Sequence, residues 1–352
     1  MQTRSGKRKS KKKIIIGVIV SVVLVILSIV GYEGYKLFSA ADKIQIATNK
    51  KSDKKVSKGK PITILLLGLD TGALGRNDKT YGIGNTDTIE LATVNPLKNT
   101  ITLTSIPRDT LVKIESSKGT GYSKINAAYS IGGINQTKKS VSELLNVPID
   151  YYALVDMGVL EKVVNAVGGV DVDNPFTFKD PYSGNYTFNK GKLHLDGVHA
   201  LAYSRMRHQD PNNDYGRQNR QQQVIKSVIQ KLKSINSVGA INKIIDASSD
   251  GIKTDAPITR VASLYPKYKA AMDNVQMNHF QGQDAMVDES SVQIPSTDEI
   301  NKISKNIRTA LGLTTDNVEN NETKLYDSNT QYDGTSNTSF NLPSGFSINE
   351  LQ

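Results

Sequence analysis

Two kinds of hydrophobic pattern alternate between residues 61 and 314. Apolar runs rich in β-branched residues predict strands at 62–69, 88–94, 101–106 and 151–155 and another after Gly168 and Gly169. Apolar stripes at helical spacing predict helices at 136–145, 157–167, 217–235, 257–272 and 297–311. Strands and helices that alternate in this way favour an α/β domain with three α/β/α layers around a central mixed sheet.

The N-terminal region has a different pattern. Residues 14–32 form one apolar run of about 19 residues, or roughly 28 Å of helix, which matches the thickness of a bilayer core. Seven basic residues precede it in segment 1–13, and this flank predicts a cytoplasmic N-terminus with everything after the span outside the cell. A secretory signal cleaved near residues 39–41 is the alternative, but signal peptides have shorter apolar cores.

Polar segments lie on both sides of the predicted domain. Residues 33–60 contain many Lys and Ser residues and predict a flexible linker next to the membrane. Residues 315–352 are dominated by Asn, Ser, Thr, Asp and Gly, and predict a disordered tail. The folded domain is therefore expected to occupy residues 61–314.

The net charge of +10 is concentrated at one end of the chain. Residues 1–60 contain fifteen basic and three acidic residues, so the remaining residues carry a net charge of about −2. This distribution indicates a membrane-proximal basic segment and argues against nucleic-acid binding. The chain has no cysteine, which excludes disulfides, thiolate metal sites and a cysteine nucleophile.

Segment 200–223, ALAYSRMRHQDPNNDYGRQNRQQQ, contains four arginines between apolar runs. If residues 200–207 form a strand, Arg205 and Arg207 point to the same face. The apolar stripe of the following helix, extended backwards, turns Arg217 and Gln221 inward. A buried guanidinium needs an anionic partner, so the cluster indicates either internal carboxylates or a bound phosphate.

Carboxylates also gather at the ends of the first three predicted strands. Asp70 follows the first strand, Asp87 opens the second, and Arg108 and Asp109 follow the third. A meander of these strands would bring all four residues to one edge, where carboxylate oxygens suit Mg²⁺. Aspartates at strand ends also cap turns, which is the alternative for each one singly.

Several other enzyme classes do not fit. The single Asp-Thr-Gly at residue 70 resembles an aspartic-protease motif, but a second copy is missing from the sequence. The four histidines lack metal-ligand spacing, and the sequence has no Gly-x-Ser-x-Gly element.

In their order, the motifs LLLGLD, NTDTIELATVNP, TSIPRDT, KINAAY, NAVGGVDV, LDGVHALAYSRMR and DYGRQNRQ resemble the LytR-CpsA-Psr family of cell-envelope proteins. The resemblance covers roughly residues 62–232. It implies an α/β/α domain outside the membrane that acts as a Mg²⁺-dependent phosphotransferase. Such enzymes move a glycopolymer, such as wall teichoic acid or capsule, from undecaprenyl pyrophosphate to peptidoglycan.

The resemblance also implies roles for individual residues. Asp70 and Asp87 match the magnesium-binding aspartates. The residues that match pyrophosphate contacts are Arg108, Lys124, Arg205, Arg207, Arg217 and Gln221. Many relatives carry an arginine where this chain has Asn85, and Arg76 is a candidate replacement.

Three points stay open at this level. Asp87 and Asp109 are both candidates for the base that activates the attacking hydroxyl. The apolar faces of segments 157–167 and 224–232 suit an isoprenoid, although core packing explains them equally well. Finally, two alternative functions stay open. The first is a membrane-tethered regulator that binds polyprenyl phosphate without turnover, and the second is a simple pyrophosphatase.

Overall fold

The computed structural model describes residues 55, 58–69, 84–117, 119–181, 184–234, 251–256, 269–348 and 351. Several predictions lie outside these residues, namely the membrane span at 14–32, the aspartate at 70, the arginine at 76 and most of the helix at 257–272. Within the described ranges, no helix has the length and apolar character needed to cross a bilayer.

The described residues form strands and helices of ordinary length. The strands are β1 Ile62–Leu69, β2 Thr86–Asn95, β3 Thr100–Ser105, β4 Leu111–Ser116, β5 Gly119–Lys124, β6 Tyr151–Asp156, β7 Val170–Asn174, β8 Phe178–Asp180, β9 Tyr186–Phe188, β10 Gly191–Leu195, β11 Ile252–Thr254, β12 Val275–His279, β13 Gln283–Val287 and β14 Ser290–Ile294. The α-helices are α1 Ala128–Leu145, α2 Met157–Ala166, α3 Gly197–Arg205, α4 Asn213–Ser234, α5 Thr297–Leu311 and α6 Asn321–Ser328.

Six strands form the central sheet, in the order β11-β6-β1-β2-β3-β12. β1, β2 and β3 are an antiparallel meander, as predicted, whereas β6 runs parallel to β1 and β12 runs parallel to β3. A tight turn joins β2 to β3 because the Asn95 side chain accepts hydrogen bonds from the backbone N–H groups of Leu97 and Lys98. The prediction of a mixed sheet is confirmed.

Hydrophobic cores cover both faces of this sheet. Alternate residues of β1 point to opposite sides, so Ile64 and Leu66 belong to one core and Leu65 and Leu67 to the other. The first core is closed by α2, α3 and α4, and the second by α1 and α5. This arrangement of helix, sheet and helix explains why β1 reads as a continuous apolar run.

The meander places three strand ends at one edge of the sheet. Leu69 at the end of β1 pairs with Thr86, the first residue of β2, and Ser105 at the end of β3 pairs with Glu90, the fifth residue of β2. Residues that follow β1 and β3 therefore emerge beside the first residues of β2. This is the edge at which the sequence predicts the converging carboxylates.

The strand predicted at 200–207 is wrong. The structure has helix α3 there, and Asp196 caps its start by accepting a hydrogen bond from the backbone N–H of His199 at 2.9 Å. The helix ends at Arg205, and Met206 then returns the backbone to an extended conformation. Arg205 and Arg207 thus lie in a helix end and in the following loop, not on one face of a strand.

The C-terminal segment also differs from its prediction. The sequence predicts a disordered tail at 315–352, whereas α6 forms there with Asn320 and Thr323 in a reciprocal capping box. The apolar residues of the segment, Leu325 and Phe340 among them, pack on the β13–β14 hairpin and on β4 and β5. Scattered apolar residues in a polar segment were enough to bury it against another part of the domain.

Candidate active site

The arginine segment divides into two different clusters. The first is centred on Arg220, whose Nη1 donates to Asp210 and whose Nε donates to the carbonyl of Tyr203 at 3.0 Å. Its Nη2 donates to the carbonyl of Met206, and only 1 % of the residue is exposed. The guanidinium has its anion inside the protein, so for this arginine the salt-bridge explanation is correct.

Gly216 makes this first cluster possible. A Cβ atom at that position would lie 1.9 Å from Oδ2 of Asp210, which is much closer than any real contact. Glycine is unfavourable inside a helix by roughly 1 kcal/mol relative to alanine. Its place in the first turns of α4 is therefore explained by the carboxylate that packs against it.

The second cluster gathers around Asp214, in the first turn of α4. Oδ1 of Asp214 lies 2.7 Å from Nη2 of Arg217, 3.9 Å from Nε of Arg207 and 4.0 Å from Nε of Arg108. Oδ2 accepts a hydrogen bond from Nε2 of Gln218 at 2.9 Å. One carboxylate thus serves three guanidinium groups that come from three different segments.

The turn that follows β3 brings Arg108 and Asp109 to this cluster. Nη1 of Arg108 donates to Oδ1 of Asp87 at 2.6 Å, and Nζ of Lys124 lies 3.0 Å from Oδ1 of Asp109. The backbone of the turn is held by neighbouring segments, since the N–H of Gln293 donates to the carbonyl of Asp109 at 2.9 Å. The sheet edge therefore joins Asp87, Arg108 and Asp109, three of the four residues that the sequence predicts there, and the fourth, Asp70, lies outside the described residues.

Arg217 and Gln221 face inward, as the apolar stripe of α4 predicts. Only 7 % of Arg217 and 6 % of Gln221 are exposed. Nη2 of Arg217 also lies 3.5 Å from the carbonyl oxygen of Asp87, which connects α4 to the start of β2. Arg205 at the end of α3 and Arg207 in the next loop are both half-buried.

The second cluster has more donors than acceptors. Among the residues that the structure describes, the buried Nε atoms of Arg108 and Arg217 find no hydrogen-bond acceptor. Oδ1 of Asp214 makes its short contact with Arg217 as an ion pair without the angles of a hydrogen bond. Buried N–H groups without acceptors are costly, so the cluster is suited to an additional anion.

Electrostatics give the same result. Burial lowers the pKa of Arg217, and the positive charges of Arg108 and Arg207 lower it further, while Asp214 and Asp87 oppose this effect. Burial also disfavours the charge of Arg108, but Asp87, Asp109 and Asp214 outweigh it and raise the pKa of Arg108. Positive charge is therefore least compensated at Arg217, where an anionic ligand would be stabilised most.

An apolar cavity of about 60 Å³ opens beside this cluster. Its wall includes Leu160 of α2, Val224 and Ile225 of α4, and Gln221. Gln221 lies one helical turn after Arg217, so it joins the polar cluster to the cavity. The two helices that the sequence singles out as apolar faces do line a cavity.

Glu90 forms part of the same cavity wall and is completely buried. Its Oε2 accepts a hydrogen bond from Nε2 of Gln222 at 3.1 Å. Burial raises the pKa of Glu90 to about 8, although hydrogen bonds from Ser105 and Gln222 oppose the shift. A neutral carboxyl group at physiological pH is compatible with an otherwise apolar wall.

Two of these residues are missing from the sequence-based site. Asp214 has a signal in the sequence, because a carboxylate three residues before Arg217 on one helix is placed to pair with it. Glu90 has none beyond its position in an apolar strand. Asn85 accepts a hydrogen bond from Oγ of Ser130 at 2.8 Å.

The carboxylate oxygens at the sheet edge are suitable ligands for magnesium, but few of them are available. Asp87 is partly exposed and uses Oδ1 for Arg108, which leaves Oδ2 as a candidate ligand. Across the described part of the chain, no three His, Asp or Glu side chains come together as a metal site. Mg²⁺ commonly takes one or two carboxylates and completes its shell with water and substrate phosphates, so Asp87 fits such an ion.

Taken together, the mixed sheet, the arginine cluster and the adjoining cavity define an α/β protein for a ligand that is anionic at one end and apolar at the other. Residues 31–309 match the LytR_cpsA_psr family, and the chain belongs to that family. The family resemblance that the sequence motifs indicate is thereby confirmed.

Relatives agree with this assignment. The chain is 39 % identical over 310 residues to a protein of Enterococcus faecalis named polyisoprenyl-teichoic acid–peptidoglycan teichoic acid transferase TagU, covering 86 % of this chain and 99 % of the relative. A solved structure of protein gbs0355 from Streptococcus agalactiae has a TM-score of 0.72 and 32 % identity, and the match covers 79 % of this chain and 96 % of the other.

A structure described as TagT bound to LI-WTA is similar as well, with a TM-score of 0.59 and 27 % identity over 72 % of this chain and 92 % of that one. The similarity to named transferases confirms the prediction that the chain is an enzyme of the transferase class.

Proposed function

We propose that this protein transfers a glycopolymer from a polyprenyl pyrophosphate carrier, undecaprenyl pyrophosphate by family resemblance, to peptidoglycan. The observation that carries the proposal is the second arginine cluster, in which two buried Nε atoms have no acceptor among the described residues, together with the apolar cavity nearby. A pyrophosphate supplies the acceptors and an isoprenoid supplies the apolar part. The names of the relatives supply the polymer and the acceptor, teichoic acid and peptidoglycan.

In this proposal, a sugar hydroxyl of the acceptor attacks the phosphorus that carries the glycopolymer. The new O–P bond forms while the bond to the bridging oxygen breaks, and polyprenyl phosphate leaves with the electron pair. Arg108, Arg207 and Arg217 neutralise the phosphate oxygens, Lys124 adds a cation beside Asp109, and Arg205 takes a phosphate contact by family resemblance. Hydrogen bonds to charged groups contribute roughly 1.5 to 3 kcal/mol each, so contacts from several arginines that tighten in the transition state would lower the barrier by several kcal/mol.

Asp70 and Asp87 would hold Mg²⁺ in this scheme, and the ion would neutralise the phosphates as charge shifts to the leaving group. Asp87 is then engaged, which leaves Asp109 as the carboxylate that accepts the proton of the attacking hydroxyl. Asp109 lies beside both Arg108 and Lys124, at 3.6 Å and 3.0 Å. Those two cations hold its carboxylate in place at the sheet edge.

The cavity sets a condition on how the carrier binds. Its volume of about 60 Å³ is too small for a whole polyprenyl chain. We therefore expect α2 and α4 to separate when the lipid enters, or only the first isoprene unit to be enclosed. The N-terminal run at 14–32 would anchor the enzyme to the membrane that contains the carrier, with the domain on the outer side.

One observation favours the alternative of a binding protein without turnover. Oδ1 of Asp87 is already ion-paired with Arg108, so only Oδ2 is open to a cation while that pair persists. A protein that only binds the lipid would have no need of that cation. Turnover therefore has to be measured separately from binding.

The test is Mg²⁺-dependent cleavage of a short soluble prenyl pyrophosphate by the full chain in detergent. The variants are Asp87→Ala and the double variant Arg205→Ala/Arg207→Ala, and Lys302→Ala serves as a control because Lys302 is exposed on α5. We expect both site variants to lose activity while the control keeps it. A folded wild type that binds the lipid but never cleaves it would support the binding protein instead. The assay is run with and without a soluble peptidoglycan fragment as acceptor, and cleavage at the same rate in both cases would indicate a pyrophosphatase.

A further inference from the structure

Asp214 is the carboxylate at the centre of the second arginine cluster. Its side chain is 17 % exposed, and its Oδ1 lies within 4.0 Å of nitrogen atoms of three arginines. The segments that carry these arginines are the turn after β3, the loop after α3 and the first turns of α4. Asp214 is thus the point at which three separate segments of the site meet.

The three guanidinium groups repel one another, and Asp214 offsets this repulsion. Arg108 and Arg207 both lower the pKa of Arg217, while Asp214 raises it. A cluster of partly buried cations is unfavourable without an anion, so Asp214 stabilises the arrangement while the site holds no substrate. It occupies the position that the oxygens of a phosphate would favour for the same reason.

The arginines do not all depend on Asp214 to the same extent. Arg108 also pairs with Asp87, and Arg217 also lies near the carbonyl oxygen of Asp87. For Arg207, by contrast, the side-chain contact found among the described residues is the 3.9 Å ion pair with Asp214, and 39 % of the side chain is exposed. Loss of the Asp214 charge would therefore leave the cluster assembled but alter the orientation of its members.

We propose that Asp214 is a positioning residue that holds Arg108, Arg207 and Arg217 ready for a diphosphate and competes with that diphosphate for them. When the substrate diphosphate binds, the guanidinium groups turn part of their N–H donors from Asp214 to phosphate oxygens. Asp214 itself makes no bond to the reacting atoms. Because it requires a diphosphate ligand, this role depends on the proposed function.

The two parts of this role have opposite effects on binding and on catalysis. Removal of the negative charge raises the net positive charge of the cluster, so a diphosphate binds at least as tightly as before. The arginines, however, lose the contact that orients them, and misplaced groups stabilise a transition state poorly. The signature of Asp214 is therefore a fall in kcat without a rise in the dissociation constant.

Asp210 offers a matched control four residues away. It has the same charge and pairs with an arginine of the same helix, but the pair with Arg220 is buried and lies outside the second cluster. Asp210→Asn should lower the melting temperature of the protein and leave the ratio of kcat to dissociation constant nearly unchanged in the folded fraction. A residue with a purely structural role behaves in that way.

The experiment compares the full chain with its Asp214→Asn and Asp210→Asn variants. Binding of inorganic pyrophosphate is measured by calorimetry without Mg²⁺, and turnover of a soluble prenyl pyrophosphate is measured with Mg²⁺. For Asp214→Asn we expect pyrophosphate to bind unchanged or about threefold more tightly, and kcat to fall by roughly 10- to 100-fold. The melting temperature should change little.

Weaker pyrophosphate binding in Asp214→Asn, or a kcat equal to that of the wild type, would overturn the role of Asp214. A wild type that neither binds pyrophosphate nor cleaves the substrate would instead refute the proposed function itself. The two failures are thus distinguishable, because the first needs an active wild type.

Discussion

Asp210 and Asp214 are four residues apart, and each pairs with an arginine of α4, yet their surroundings differ. The guanidinium of Arg220 has an acceptor on every nitrogen and both partners are 2 % exposed in their side chains. Around Asp214, three guanidinium groups share one carboxylate, and two Nε atoms have no acceptor in the part of the chain that the structure describes. We call an arginine saturated when all its nitrogens have hydrogen-bond acceptors, and unsaturated when some have none. A saturated arginine stabilises the fold, whereas an unsaturated arginine indicates a site for a ligand.

The largest effect is expected at the saturated cluster. Arg220→Ala leaves the carboxylate of Asp210 buried without a partner, which should lower the free energy of unfolding by about 3 to 5 kcal/mol. Urea denaturation followed by circular dichroism measures this change. A decrease below about 1 kcal/mol would show that water replaces the guanidinium, and the contrast between the clusters would fail.

Glu90 is a third acidic residue, and its buried carboxyl group is bonded to Gln222, whereas Asp210 and Asp214 are paired with arginines. We expect it to make the stability of the protein depend on pH. The folded protein keeps its proton up to about pH 8, whereas the unfolded chain loses it near 4.5. The protonated side chain of Glu90 therefore contributes fully to the free energy of unfolding below pH 4.5. This contribution falls by about 1.4 kcal/mol per pH unit as the pH rises to about 8.

Glu90→Gln removes this titration while it keeps the size of the side chain. Relative to wild type, the variant should gain stability between pH 5 and pH 8 by an amount on the order of 4 kcal/mol, and the gain should level off above that. Urea denaturation at pH 5, 7 and 9 measures it. If the two proteins show parallel stability across this range, Glu90 is ionised in the folded state.

The unsaturated cluster should respond in the opposite way. Arg217→Ala should lower kcat/KM by roughly 10- to 100-fold, because hydrogen bonds to charged groups contribute about 1.5 to 3 kcal/mol. Stability should change far less than in Arg220→Ala, since the lost cation had surplus donors. Steady-state kinetics and thermal melts on the same samples separate the two arginines. Equal losses of stability would erase the distinction.

The smallest effect is expected at an exposed pair. Lys302 lies 2.8 Å from Glu299, and its side chain is 60 % exposed. Lys302→Ala should change the free energy of unfolding by less than about 0.5 kcal/mol and leave activity intact. A larger change in a urea titration would indicate that charge pairs in this protein are stronger than their exposure suggests.

The sequence was most informative where a residue's neighbours along the chain decide its surroundings. The apolar stripe of α4 correctly turns Arg217 and Gln221 inward, and the β1 to β3 meander correctly brings Asp87 to Arg108. In the first case the helical period of the apolar residues predicts which side chains face inward. In the second case the short turns between the strands predict which residues meet. Prediction of the shared sheet edge needed nothing beyond the order of the strands.

Elsewhere, contacts between distant segments decided the structure. The side chains of residues 200–207 alternate in sequence as they would in a strand. Asp196 is the N-cap of α3, but an aspartate at that position does not by itself predict a helix. The β4–β5 hairpin was not predicted, and the division of Arg207, Arg217 and Arg220 between two clusters depends on which aspartate each one meets. The tail folds because Phe340 and Leu325 find a surface made by other strands.

The packing of the C-terminal segment has a consequence for the order of folding during synthesis. The cluster around Leu111 and Tyr122 includes Phe340, and the ring of Phe346 meets that of Tyr122 edge-on at 5.5 Å. A ribosome makes residues 111–122 long before residues 340–346. The apolar side of the β4–β5 hairpin therefore stays exposed while more than two hundred further residues are added. During this time a chaperone can bind to it.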